Sequence, residues 1–155
     1  MIEMMMLAGI EVLRVDSFPG DLDRELTVAA AEEGFAPLRW LKAQWADGSN
    51  RFSASGEALF VARSSGRLVG VCGLNRDPYA RGHASGRLRR LYVLSEFRRQ
   101  GVGRRLVLAA LDHARGHFDT VNLRTLDPRS AAFFEALGFA RVKDVKGATH
   151  TIQIP

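Results

Sequence analysis

The chain has 155 residues, 46% of them hydrophobic, which suits one globular domain with a sizeable core (residues 1-155) and leaves little room for a second. A net charge of +5 and a pI of about 10.1 favour anionic partners: nucleic acid, anionic lipid or a phosphorylated small molecule. One cysteine, Cys72, excludes an internal disulfide, and the start lacks the basic region of a secretory signal, so a reducing, cytoplasmic setting is expected. "MIEMMMLAGI" is apolar but too short for a membrane span, and Met4-Met5-Met6 leaves the start codon open, so residues 1-8 are read as disordered or as a start-site artefact.

Along the chain, "GIEVLRVDS" alternates as a strand through Ile10, Val12 and Val15. "LDRELTVAAAEEG" reads as a helix ended at Gly34, and "PLRWLKAQWADG" as a second with Pro37 in its first turn. "EALFVARSSGRLVGVCGLN" is a hairpin turning at Ser64-Ser65-Gly66, and "RLRRLYVL" is a third strand of that group. A long helix to about Phe118 follows, with Leu106, Val107, Ala110, Leu111, Ala114 and Phe118 on one stripe and Arg104, Arg105, Asp112 and Arg115 opposite. "TVNLRTL" is a strand, "RSAAFFEAL" a helix closed by Gly138, and "FARVKDV" with "HTIQI" a final strand pair. The predicted fold is α/β, with a single-domain, mixed, mostly antiparallel twisted sheet flanked by helices.

The strand-to-helix corner Arg98-Arg99-Gln100-Gly101-Val102-Gly103 carries the chemistry. Glycine lets the backbone approach a ligand closely, and the first turn of a helix offers unpaired N–H groups at a positive dipole end. Together these favour phosphate oxygens, with Arg98, Arg99 and Arg104 able to add charge-assisted bonds. The spacing matches neither the Rossmann nor the Walker pattern, so neither NAD nor ATP is expected.

The Arg-x-x-Gly-x-Gly corner, followed a helix and a strand later by "SAAFFEALGFARV", resembles the GNAT N-acetyltransferase superfamily. The resemblance implies that acetyl-CoA is the co-substrate. Arg98, Arg99, Gln100, Gly101, Val102, Gly103 and Arg104 would hold its pyrophosphate. Leu91, Tyr92 and Val93 would pair through their backbone with the pantetheine arm. A splay between the fourth and fifth strands would admit the thioester. It also implies Asp127, Ser130 and Phe134 at the positions of a later motif, commonly Asn-x-x-Ala-x-x-x-Tyr, that lines the cofactor. Phe134 stands where the family usually has a tyrosine that protonates the departing thiolate, and it cannot do so. Tyr92 is then a candidate acid, with sheet packing as its alternative.

The base is open as well. Some relatives carry a fourth-strand glutamate where this chain has Arg87, which stays protonated and could instead attract an acidic acceptor. Glu57 and His150 are the leading base candidates, followed by Asp77 and His83. A solvated strand end, a surface histidine, a turn residue and an exposed loop are their plainer readings. The histidines and the cysteine show no metal-ligand spacing, so no metal is expected. Trp40, Arg51, Phe52, Asn75 and Tyr79 are expected to wall the acceptor site, with Trp45 in the core.

The implied reaction is acetyl transfer from acetyl-CoA to a primary amine of a small molecule or peptide, by direct attack in a ternary complex. A CoA-binding module without chemistry and a basic nucleic-acid binder are the rivals. No nucleic-acid or membrane partner is expected on balance. The superfamily often forms homodimers, but nothing in the sequence decides the oligomeric state.

Overall fold

The computed structural model describes residues 9–82 and 84–155. The expectation for residues 1–8 and the base candidate His83 lie outside them. Seven strands form one sheet in the order β1-β2-β3-β4-β5-β7-β6: β1 Ile10–Val15, β2 Ala58–Ser64, β3 Arg67–Arg76, β4 Ser85–Val93, β5 Thr120–Leu123, β6 Ala140–Arg141 and β7 His150–Gln153. Only β4 and β5 run parallel; every other neighbouring pair is antiparallel. This is the mixed, mostly antiparallel sheet that hairpins with embedded crossovers imply.

Among the described residues four helices flank the sheet. Helix α1 is a π-helical stretch, Asp23–Thr27, continued by an α-helix, Val28–Glu32. Leu22, Leu26 and Ala30 lie along its buried side at helical spacing. Helix α2, Pro37–Asp47, starts on the proline and stops at Gly48, whose φ of 80° is the left-handed C-terminal cap that glycine adopts without strain. Leu38 and Leu41 are buried, and Trp45 packs edge-on to Phe18 at 5.8 Å and stacks on Phe52 at 6.5 Å. Helix α3, Val102–Ala114, buries Leu106, Val107, Ala110 and Ala114. It ends short of Phe118, because Gly116 turns left-handed at φ 80°. Phe118 is nevertheless buried, over Gly56 and Gly86. Helix α4 is Pro128–Ala136.

The sheet is covered on both faces, which is why β2 and β3 read as nearly continuous apolar runs. Helix α3 lies against the face of Gly70, where Leu106 and Val102 close in. The opposite face carries α1, α2 and the Asn50–Phe52 corner. Gly73 is needed there: a Cβ would sit 2.4 Å from the ring of Phe52. That ring is itself fixed by Trp45 and a left-handed backbone at Phe52, φ 52°. Gly73→Ala is therefore expected to destabilise the fold by about 1–3 kcal/mol through overpacking, read as a lowered Tm. An unchanged Tm would show that the Asn50–Phe52 corner yields freely.

Candidate active site

The site begins where a strand pair comes apart. β4 and β5 are in register only over Ser85↔Thr120, Gly86↔Val121 and Arg87↔Asn122. Beyond Arg87, β4 continues to Val93 while β5 ends at Leu123, so the two strands diverge. On its other side β4 stays paired with β3, but Val71↔Tyr92 is followed by Gly73↔Arg89, which puts one extra residue in β4. The bulge falls at Arg90, a non-glycine residue held at φ 62°. Bulges re-aim side chains and gather beside functional sites. A cleft of about 410 Å³ fills the opening. Its walls are Arg87–Leu91 of β4, the Leu123–Leu126 run leaving β5, Ser130 and Phe134 of α4, and Phe35, Pro37 and Trp40 from the α2 side.

At the far end of β4 the chain passes through a short 3₁₀ turn, Ser95–Phe97, into the glycine corner. Arg98 is extended, Arg99 is left-handed at φ 61°, and Gly101 is left-handed at φ 83° as the N-cap of α3. A glycine cap brings no side chain to the first amides of the helix, so they stay open to a ligand. Gly103 is the second residue of α3, within its first turn. A Cβ there would meet Phe133 at 3.5 Å and Val93 at 3.7 Å, ordinary contacts, so internal packing does not demand this glycine.

Residues 21–139 match the model of the Acetyltransferase (GNAT) family. The chain belongs to that family. It is 35% identical over 99 residues to N-alpha-acetyltransferase RimI of Mycobacterium tuberculosis, a stretch covering 60% of this chain and 59% of RimI. The match thus spans less than two thirds of that relative's length. The crystal structure of an inferred acetyltransferase from Exiguobacterium sp. 255-15 superposes with a TM-score of 0.80 at 28% identity, over 93% of both chains. The AtaT toxin mutant bound to the C-terminus of the antitoxin AtaR and acetyl-CoA shares the fold, with a TM-score of 0.68 at 16% identity over 94% of both chains. Acetyl-CoA is the acetyl donor that the GNAT family uses.

The GNAT frame brings some of the expected residues to the cleft and employs others elsewhere. Leu91, Ser130, Phe134 and Trp40 line it. Phe134 packs edge-on to Phe133 at 5.1 Å and Phe139 at 5.5 Å, the packing role its chemistry allows. Asp127 caps α4, accepting from Arg129 N at 3.2 Å and from Ser130 Oγ at 3.2 Å. Gln100 donates to Glu96 O at 3.1 Å, while Arg99 and Arg104 are exposed.

Arg98 and Tyr92 converge on Glu33, at the end of α1. The Arg98 guanidinium grips the Glu33 carboxylate at 2.7 and 2.9 Å and donates from Nε to Val93 O at 2.9 Å. The Tyr92 hydroxyl donates to the same carboxylate, and its ring stacks on Phe35 at 5.6 Å. Burial, reinforced by Glu33, pushes the Tyr92 hydroxyl up to about 12. Such a phenol is a poor acid, and it does not line the cleft.

The base candidates are also held elsewhere. Glu57 accepts from Ala54 N at 3.1 Å, Asn75 Nδ2 at 3.0 Å and Arg76 N at 2.9 Å, closing the loop before β2 onto the end of β3. Asn75 in turn exchanges amide hydrogen bonds with Asn50 at 2.9 and 3.0 Å. His150, for which a surface position is one reading, is fully buried, bridging Glu135 Oε2 at 2.8 Å and Thr149 Oγ1 at 2.9 Å. Asp77 is buried too, accepting from Asn122 Nδ2 at 2.8 Å and Tyr79 N at 3.0 Å. Arg51 turns back to Trp45 O at 2.8 Å, and Phe52 is core. Tyr79 lies beneath the Arg87 guanidinium, 4.9 Å from its ring. Among the described residues no group of three or more His, Cys, Asp and Glu could hold a metal, and no helix is long and apolar enough to cross a membrane.

Sequence reasoning undervalued the β4 arginines. Arg87, Arg89 and Arg90 line the cleft with Arg124. Burial, then repulsion by its arginine neighbours, lowers Arg90 to about 10, and Arg89 is lowered by burial and Arg87. The arginine density of "RLRR" was visible, but the bulge that turns Arg90 into the cleft has no local signature.

The Glu33 carboxyl is held below its ordinary 4.5, first by Arg98 and second by Tyr92. A depressed acid contributes stability that is complete above its unfolded value and is lost as pH falls through the folded one. Glu33→Gln is therefore expected to lower Tm at pH 7, with the gap to wild type closing as pH drops below 4.5. Tyr92→Phe is expected to keep kcat within about threefold, whereas an essential acid would cost ~10²–10⁴-fold.

Proposed function

We propose that the protein transfers an acetyl group from acetyl-CoA to a primary amine by direct attack in a ternary complex. One observation carries this reading: the uncapped helix start at Gly101 and the β4–β5 opening lie at the two ends of one exposed strand edge, Leu88–Val93. That edge can pair with an extended amide-bearing arm. The amides following Gly101, with the exposed Arg99 and Arg104, would take the pyrophosphate. Arg98 would brace the loop from behind through Glu33. Bound there, acetyl-CoA supplies an activated acyl thioester.

The acceptor nitrogen forms the new C–N bond as the C–S bond breaks. The nitrogen gives up a proton and the sulfur leaves as thiolate. No carboxylate or imidazole among the described residues lines the cleft, so that proton passes to solvent water in the open cleft. The arginines do part of the work of a base, because their positive field disfavours ammonium and lowers the acceptor's pKa. They also stabilise the leaving thiolate, whose ordinary pKa of ~8.5 makes an acid dispensable at neutral pH. The rate should then rise with pH as the amine deprotonates, without an alkaline fall below about pH 9 of the kind a catalytic tyrosine imposes.

Thermal denaturation tests donor binding. Acetyl-CoA at ~100 times its Kd should stabilise by ~2.7 kcal/mol, a shift of roughly 5–10 °C, with NAD and ATP as inactive controls. Gly103→Ala should leave the unliganded Tm unchanged or raised, because the added methyl makes only ordinary contacts with Phe133 and Val93, yet weaken acetyl-CoA binding by about tenfold or more, because it crowds the first-turn amides proposed to take the pyrophosphate. A bound donor with no thiol release on any amine would favour a CoA-binding module without chemistry.

A further inference from the structure

The β4 arginines make an unusual cluster. Among the described residues, five buried side-chain polar atoms lack a hydrogen-bond partner, and three of them are Arg87 Nη1, Arg89 Nε and Arg90 Nε. Unpaired buried donors are costly, so three on one short stretch of strand at a cleft wall call for a ligand. The compensation present is partial. Arg87 Nη1 stands 3.9 Å from Asp77 Oδ1, an ion pair without a hydrogen bond, and its guanidinium lies over Tyr79. Arg90 donates to the neutral Gln44 Oε1 at 3.2 Å and rests on Trp40 at 5.7 Å. Glu57 acts on Arg89 only at a distance and is held by three other donors.

The placement of the cluster points to the acceptor. Arg90 and Tyr92 project to the α1–α2 face of the sheet, where Trp40, Gln44, Phe35 and Glu33 stand. The glycine corner is at the other end of the free strand edge, so phosphates held there are remote from Arg87. Arg90 holds a left-handed backbone at the β4 bulge, a conformation uncommon for a non-glycine residue and of the kind that collects at binding sites.

We infer that the acceptor is a small amine that also carries a carboxylate, which Arg87, Arg89 and Arg90 bind beside the free edge of β4. A planar carboxylate fits the guanidinium fork and would offset the positive charge that Arg87, Arg89 and Arg90 bring to the cleft wall. It would also hold the amine within the field that lowers its pKa. This inference rests on the acetyltransferase reading.

The test is thiol release from acetyl-CoA with matched acceptors: β-alanine against propylamine, serine against ethanolamine, phenylalanine against phenethylamine. O-phosphoethanolamine separates a carboxylate from a phosphate anchor. The carboxylate-bearing member should be favoured about ten- to hundredfold in kcat/KM, the range of a charged hydrogen-bonded contact. Arg90→Gln should shrink that preference to within about threefold, with acetyl-CoA still raising its Tm. Equal or better use of the plain amines, or of the phosphate, overturns the inference. So does a panel in which no carboxylate-bearing amine reacts although acetyl-CoA raises Tm. Each of these leaves donor binding intact, whereas failure of acetyl-CoA to shift Tm would overturn the acetyltransferase reading itself.

Discussion

The proposed function depends on β4 losing its partner. A strand in the middle of a sheet normally has both edges hydrogen-bonded, and unpaired backbone groups are costly when buried. Here the parallel β5 stays with β4 for three residue pairs and then departs. The exposed edge is tolerable because it borders a cleft rather than a core, and because a bound chain can complete it. Such strand addition is a recurrent way to bind extended ligands. On the other side, β3 and its dense apolar packing keep β4 straight enough to present that edge. The close approach of Phe52 to Gly73, which leaves no room for a Cβ, shows how little slack lies beneath it.

The second constraint is electrostatic. The cleft-lining stretch Arg87–Leu91 of β4 carries three arginines, two of them with lowered pKa, Arg89 and Arg90, and little negative charge faces them. Most of the carboxylates near the site are committed elsewhere. Glu33 binds Arg98 and Tyr92, Glu57 binds two backbone amides and Asn75, and Asp77 is shared among Asn122, Tyr79 and Arg87. This allocation separates roles. The acidic groups brace the loops around the cleft, and the cleft itself is left cationic. A site without its own base and acid is chemically consistent only if its field acts on the amine and the thiolate, which the arginines can do.

The sequence made the element order and the mixed sheet legible, because hydrophobic periodicity and the turn residues report on local structure. Ser65 and Gly66, both left-handed at φ 47° and 86°, make the tight hairpin turn that the serine-glycine pair suggests. The glycine corner was legible for the same reason. Distant pairings were not. That Arg98 spends its charge on Glu33, 65 positions earlier in the chain, depends on how α1 docks against β4. The burial of His150 beneath α4 was equally hidden, since a histidine in a short polar strand carries no mark of burial. The bulge at Arg90 is set by register between strands, so it decided the direction of that arginine without a trace in local composition.

Backbone hydrogen exchange on adding acetyl-CoA tests the central claim most directly, because it reads the strand edge and the helix start separately. The account predicts new protection in two stretches only: the free part of β4, Leu88–Val93, and the corner with the first turn of α3, Arg98–Arg105. Protection confined to the corner would mean that phosphates dock while the edge stays empty. Protection of neither stretch, with acetyl-CoA bound, would contradict the assignment of this opening as the donor channel.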